Sequence, residues 1–200
     1  MSARHIAAFT LLVVVSGCGG SNDSPIPEQT SQIAYSCDAA KPSGQVFVRE
    51  PSGRQPFPIA LPRLDGWAVN PVSTGELSVV RRDGGQFALV SAIAGAAPHD
   101  DDETNANYLA GLAGVPNTQG WHRRTSVRAQ VCGHRAVAVD GEFQQPYLYK
   151  SESFLGLVVP CGATTATVQL SGLVHGATAA FDDEIATIMR NLQVGTCVKE

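Results

Sequence analysis

The sequence predicts an α+β domain, an antiparallel sheet of six or seven strands flanked by two helices. Three observations lead there. Segments rich in β-branched residues with near alternation occupy both halves of the chain. An Asp83-Gly84 pair separates two apolar runs and is the strongest short hairpin signal present. Two other stretches change to helical spacing, with acids at their start and glycine beyond their end.

The chain begins with a segment outside that domain. Arg4 and the amino terminus supply positive charge, residues 6–15 are apolar, and Ser16 and Gly17 stand before Cys18. An apolar run of about ten residues is half of the roughly 20 that a spanning helix needs, so it reads as a secretory signal. Val15-Ser16-Gly17-Cys18 resembles the bacterial lipoprotein box. That resemblance implies removal of residues 1–17 and acylation of the Cys18 thiol; the alternative is an ordinary secretory signal cut nearby. Residues 18–36 are polar and proline-bearing, a flexible tether with a mean reach of about 20 Å. The domain is expected over 37–200.

Within it, Val46 to Val48 and the alternating residues 57–61 read as short or edge strands, because prolines at 51, 56, 58 and 62 surround them. Residues 77–80 and 86–93 form the hairpin about Asp83-Gly84. Asp100 to Glu103, followed by Tyr108, Leu109 and Leu112, predict a helix of three turns ending near Gly114. The acids complement the helix dipole. They lack the spacing of a calcium loop. Strands follow at 127–131, 135–143, 153–159 and 165–173, with a turn over 144–150. Phe181, Ile185, Ile188 and Leu192, spaced four, three and four, give the clearest helix.

Of 200 residues, 44% are hydrophobic and 16% charged, which excludes a largely disordered chain. The formal net charge is -4 and no basic block occurs, which argues against nucleic acid as a partner. After Cys18 there remain Cys37, Cys132, Cys161 and Cys197, an even set that in an exported chain reads as two disulfides. Four free thiols or a dispersed zinc site are the alternatives. A turn centred near Tyr147 makes facing residues sum to about 295, which favours Cys132 with Cys161 and leaves Cys37 for Cys197.

The search for chemistry is mainly negative. No hydrolase elbow, zinc-protease helix, phosphate loop or dinucleotide fingerprint occurs, and the five histidines are dispersed. No cofactor, no metal site and no catalytic residue is expected. A hydrolase using Ser171 or Ser153 with a distant histidine is the least favoured reading. Trp121 beside Arg123 and Arg124, and Tyr147 with Tyr149 in a hairpin tip, are candidate contact residues, with ordinary packing the stronger reading for Trp121.

The lipoprotein box, the tether, Pro62 before Gly66-Trp67, the helix with Leu109 and Leu112, Gly133-His134-Arg135-Ala136 and the terminal amphipathic helix together resemble the mycobacterial LpqN/LpqT-type lipoproteins. Such proteins are similar in fold to Mog1 and PsbP, so the resemblance implies an α/β/α sandwich. It also implies an envelope protein of an actinobacterium, lipid-anchored to the outer face of the cytoplasmic membrane and acting as a non-enzymatic accessory or interaction protein. Its partners would be the membrane, through Cys18, and an envelope protein or glycolipid; a carrier or sensor of an apolar envelope lipid is the alternative.

Overall fold

The structure is a computed structural model and describes residues 44–52, 55–73, 75–113, 120–131, 133–143, 149–176 and 179–197. Strands β3 (Ala68–Val69), β4 (Leu77–Asp83), β5 (Gln86–Ala96), β6 (Trp121–Val131), β7 (His134–Phe143), β8 (Ser151–Cys161) and β9 (Thr164–His175) make one antiparallel sheet. Its order is β3-β4-β5-β9-β8-β7-β6. Strands β1 (Val46–Arg49), β2 (Ile59–Pro62) and β10 (Gln193–Val194) form a small second sheet in the order β1-β2-β10. The expected Asp83-Gly84 hairpin is present, with Asp83 paired to Gln86 and Gly84 at φ 59°, a conformation glycine adopts without steric cost.

Helices α1 (Asp102–Leu112) and α2 (Ala179–Arg190) cover opposite faces of the large sheet. Side chains alternate in face along β8. Gly156 lies under Leu109 of α1, whereas Gly172, which lies under Ile185 and Met189 of α2, pairs with Ser153, an odd-numbered neighbour facing the other way. The α2 face carries a continuous apolar row across six strands: Leu77, Ala92, Leu170, Leu155, Ala138 and Val127. Phe181, Ile185, Ile188 and Leu192 are all buried there, as their spacing predicts. Trp67 closes one end of this core, its indole N–H donating to Glu184 Oε2 at 2.9 Å.

The acids before α1 act as the dipole argument expects. Asp101 is the N-cap and accepts the Thr104 amide at 2.7 Å. Glu103 accepts from Arg128 and, at 2.7 Å, from Arg135, which fastens α1 to the sheet. The hydrogen bond from Arg128 chiefly holds the Glu103 carboxyl below its ordinary value of 4.5. Because the folded value is the lower one, this contribution is present above about pH 4.5 and is lost as pH falls through the folded value. Acidification below pH 4.5 should therefore lower the protection factors of the α1 amides, that is, exchange measured against the intrinsic rate at each pH, and Glu103→Gln should flatten that dependence. The pair is half open to solvent, so the effect should stay under about 1 kcal/mol.

Three expectations are corrected. Cys161 bonds Cys197, with Cα atoms 5.5 Å apart, so neither Cys132 with Cys161 nor Cys37 with Cys197 is the arrangement. Arg135 faces Val158, so facing residues of β7 and β8 sum to 293, close to the sum that the turn leads one to expect. Because β10 pairs with β2 and carries the chain end back beside the end of β8, it is Cys197 that meets Cys161 there. Cys18, Cys37 and Cys132 lie outside the described residues. Next, β6 begins at Trp121 rather than 127, because an edge strand tolerates the polar run His122 to Thr125 that reads as a loop. Lastly, β10 and the three-stranded sheet were not anticipated; two-residue strands leave no periodicity to read. No helix among the described residues is long and apolar enough to cross a membrane.

Candidate functional site

Strand pairing sets up the most distinctive polar feature of the molecule. Across six strands Ser78, Ser91, Ser171, Phe154, Val139 and Ser126 form one row on the α1 face. Helix α1 packs on β7 and β8, and the row is apolar beneath it. Over β4, β5 and β9 the same row is serine. Ser91 Oγ stands 3.0 Å from Ser78 Oγ and 3.4 Å from Glu76 Oε1. At the other end Ser171 Oγ donates to Glu152 Oε1 at 2.5 Å, and Glu152 is only 2% exposed.

An aromatic corner adjoins these hydroxyls. Phe87 stacks on His175 at 4.8 Å between centroids and meets Tyr149 edge-on at 6.0 Å, with Arg82 over the Phe87 ring. Burial, then the negative charges of Glu76 and Glu152, push the Tyr149 phenol above its ordinary value of 10.0. Both carboxylates thus bear on the same ring. The second polar region is a cleft of about 620 Å³ at the same end of the sheet, whose lining includes Arg124, Asp140, Lys150, Ser153 and Asp182 as well as Glu152. Thr125 Oγ1 donates to Asp140 there at 3.2 Å, and Arg124 pairs with Glu142 at 2.7 Å.

Chemically, these groups offer hydrogen bonds and compensated charge. Ser171 is bonded to a carboxylate, not an imidazole. His175 is four residues away along β9, about 13 Å, and is stacked on Phe87. A serine nucleophile needs its base within hydrogen-bond reach. Ser153 faces the opposite side of the sheet from Ser171, in the cleft. Among the described residues no three His, Cys, Asp or Glu side chains are grouped to hold a metal ion.

The candidate contact residues are not gathered on one surface. Trp121 packs over Gly141 and lies 5.0 Å from the Phe143 ring, as the packing reading expects. Arg123 donates from Nη2 to the Ala110 carbonyl at 3.1 Å, on the α1 side. A β-bulge between Arg123 and Thr125 turns Arg124 to the cleft. Tyr149 sits against β5, across the sheet from Trp121, and Tyr147 lies outside the described residues. The serine row was missed, although Ser78 and Ser91 alternate with Val79 and Val90 and so announce a polar face.

No family model matches the chain, and no curated protein matches it. Among solved structures, the chain is similar to LpqN of Mycobacterium tuberculosis, described as involved in cell envelope biogenesis. The identity is 16% and the TM-score 0.55, over 76% of this chain and 92% of that one. It also matches the solution structure of PsbP (CyanoP) from Synechocystis sp. PCC 6803 at 13% identity and TM-score 0.43, over 80% and 97%. At such identities the likeness is one of fold. The chain has an α+β fold like that of LpqN, as its sequence led us to expect.

Proposed function

We propose that this chain is an exported lipoprotein of the cell envelope, held to the outer face of the cytoplasmic membrane by acyl chains on Cys18. Its domain serves there as an accessory protein that works by contact rather than by turnover. The observation that carries the reading is the bond between Cys161 and Cys197, since such bonds persist in oxidising, extracytoplasmic compartments. It sits in the same chain as an amino-terminal signal ending in Val15-Ser16-Gly17-Cys18. The fold likeness to a protein involved in envelope biogenesis agrees with that location. Two or three acyl chains at about 0.8 kcal/mol per buried CH₂ anchor firmly, and the tether leaves the domain free to meet a partner.

A carrier of apolar lipid would need room between a helix and the sheet. Leu109 over Gly156 and Ile185 over Gly172 fill both interfaces at those points. Expression of the full chain in a lipoprotein-processing host tests the anchor directly. Intact-mass and peptide analysis should find acyl mass on Cys18 and the protein in the membrane fraction, and Cys18→Ala should release it. A soluble product with an unmodified thiol would end the reading.

A further inference from the structure

Three apolar residues at one corner of the large sheet are more buried than the described elements account for. Alternation from Val127 and Ala138 places Ala129, Val131 and Ala136 on the α2 face. They are 8%, 1% and 1% exposed, although β6 is an edge strand. Among the described elements, α2 packs chiefly on β2, β5, β8 and β9, while β1 and β2 pack on β4. Another part of the chain therefore shields this corner. Residues 114–119 and 144–148 lead into or out of strands at the opposite end of the sheet, and only residues 198–200 follow Cys197. The segment before residue 44 is long enough, and Ile33, Ala34, Tyr35, Ala39 and Ala40 give it apolar side chains to bury.

The cysteines fix where that segment lands. With Cys161 bonded to Cys197, Cys37 and Cys132 remain of the four that follow Cys18. Both lie outside the described residues, but Cys132 is bracketed by them. Val131 faces His134, so residue 132 belongs to the turn that ends β6, at the corner Val131 occupies. We propose that Cys37 and Cys132 form a second disulfide, which draws residues 37–43 across Ala129, Val131 and Ala136. Reach allows it. β1 lies by β4, about 19 Å from β7 at the usual strand spacing, and the chain from 37 to 44 spans up to about 25 Å. Closure is a thiol–disulfide exchange with a disulfide oxidant of the extracytoplasmic space. One thiolate attacks the oxidant's disulfide, the second cysteine displaces the mixed disulfide, and the oxidant leaves as a dithiol with the two electrons and two protons.

The bond also sets how the domain is held. The tether then joins it at the turn between β6 and β7, whereas the cleft and the aromatic corner lie at the other end of the strands, about 35 Å away for the eleven residues of β8. An anchor on Cys18 thus holds the domain by its far end and leaves the cleft open to a partner; that consequence rests on the lipoprotein reading, whereas the bond needs only export.

The test is fragment mapping of the exported full chain, with free thiols alkylated and no reductant. Cleavage after glutamate puts the four cysteines on separate fragments, 29–50, 104–142, 153–184 and 185–200, and leaves Cys18 on a fifth. Fragment 29–50 should be linked to 104–142. Recovery of either as an alkylated thiol, or linked to 153–184, to 185–200 or to a second chain, overturns the proposal. Because Cys18 stands on its own fragment, a missing acyl group would end the anchor reading and leave this result untouched. Hydrogen exchange tests the cover. Cys37→Ser combined with Cys132→Ser should raise exchange across 129–136 about tenfold relative to β5; unchanged exchange there would overturn the covering of the corner.

Discussion

Adding a single methyl at Gly172 should cost about 2 kcal/mol, and trimming Ile185 to alanine should return part of that loss. A Cβ built on Gly172 would stand 2.3 Å from Ile185 Cγ2 and 3.3 Å from Met189 Sδ, so α2 must lift from the sheet or Ile185 must leave its rotamer. Overpacking of this kind costs about 1–3 kcal/mol. Ile185→Ala alone should cost about 3 kcal/mol by opening a cavity over β9. In the double variant the new methyl occupies space that Ile185 vacates. The combined loss should therefore fall short of the sum by about 1–2 kcal/mol, a coupling that urea midpoints of the four proteins would measure. Simple additivity would mean that α2 does not press on β9 at this point.

Loss of the Cys161 to Cys197 bond should have the largest effect on stability. The bond closes a loop with sequence separation 36, for which the chain-entropy relation gives about 4 kcal/mol as an upper estimate. It also holds β10, a strand of two residues, beside the end of β8. Replacing both cysteines by serine should lower the urea midpoint accordingly, and reductant should no longer shift the double-serine protein through this pair. Peptide mapping without reduction should recover 161 linked to 197. A linked 132 to 161 peptide would contradict the described fold, because it requires Cys197 to leave the end of β8.

The two outcomes illustrate different degrees of legibility. Spacing at Phe181, Ile185 and Ile188 made α2 readable, since a helix that must bury one stripe writes that need at every third or fourth position. Alternation and the Asp83-Gly84 turn did the same for β4, β5, β7, β8 and β9. The polar start of β6 was unreadable because an edge strand has no second neighbour to demand apolar side chains. The serine row was half visible. Each serine lies in its own strand, and only the pairing of β4 with β5 and β5 with β9 shows that Ser78, Ser91 and Ser171 adjoin.

What the sequence by itself determined is the inventory: the antiparallel strands, two helices with their capping acids, and the four cysteines that follow Cys18. These follow from local periodicity and from chemistry carried by neighbouring residues. Only the tertiary structure decided which sulfurs met, which face each helix took, and that Glu152 would lie buried against Ser171. Those choices depend on how segments well separated in sequence are brought into register, and no short stretch of chain encodes the position of a distant partner.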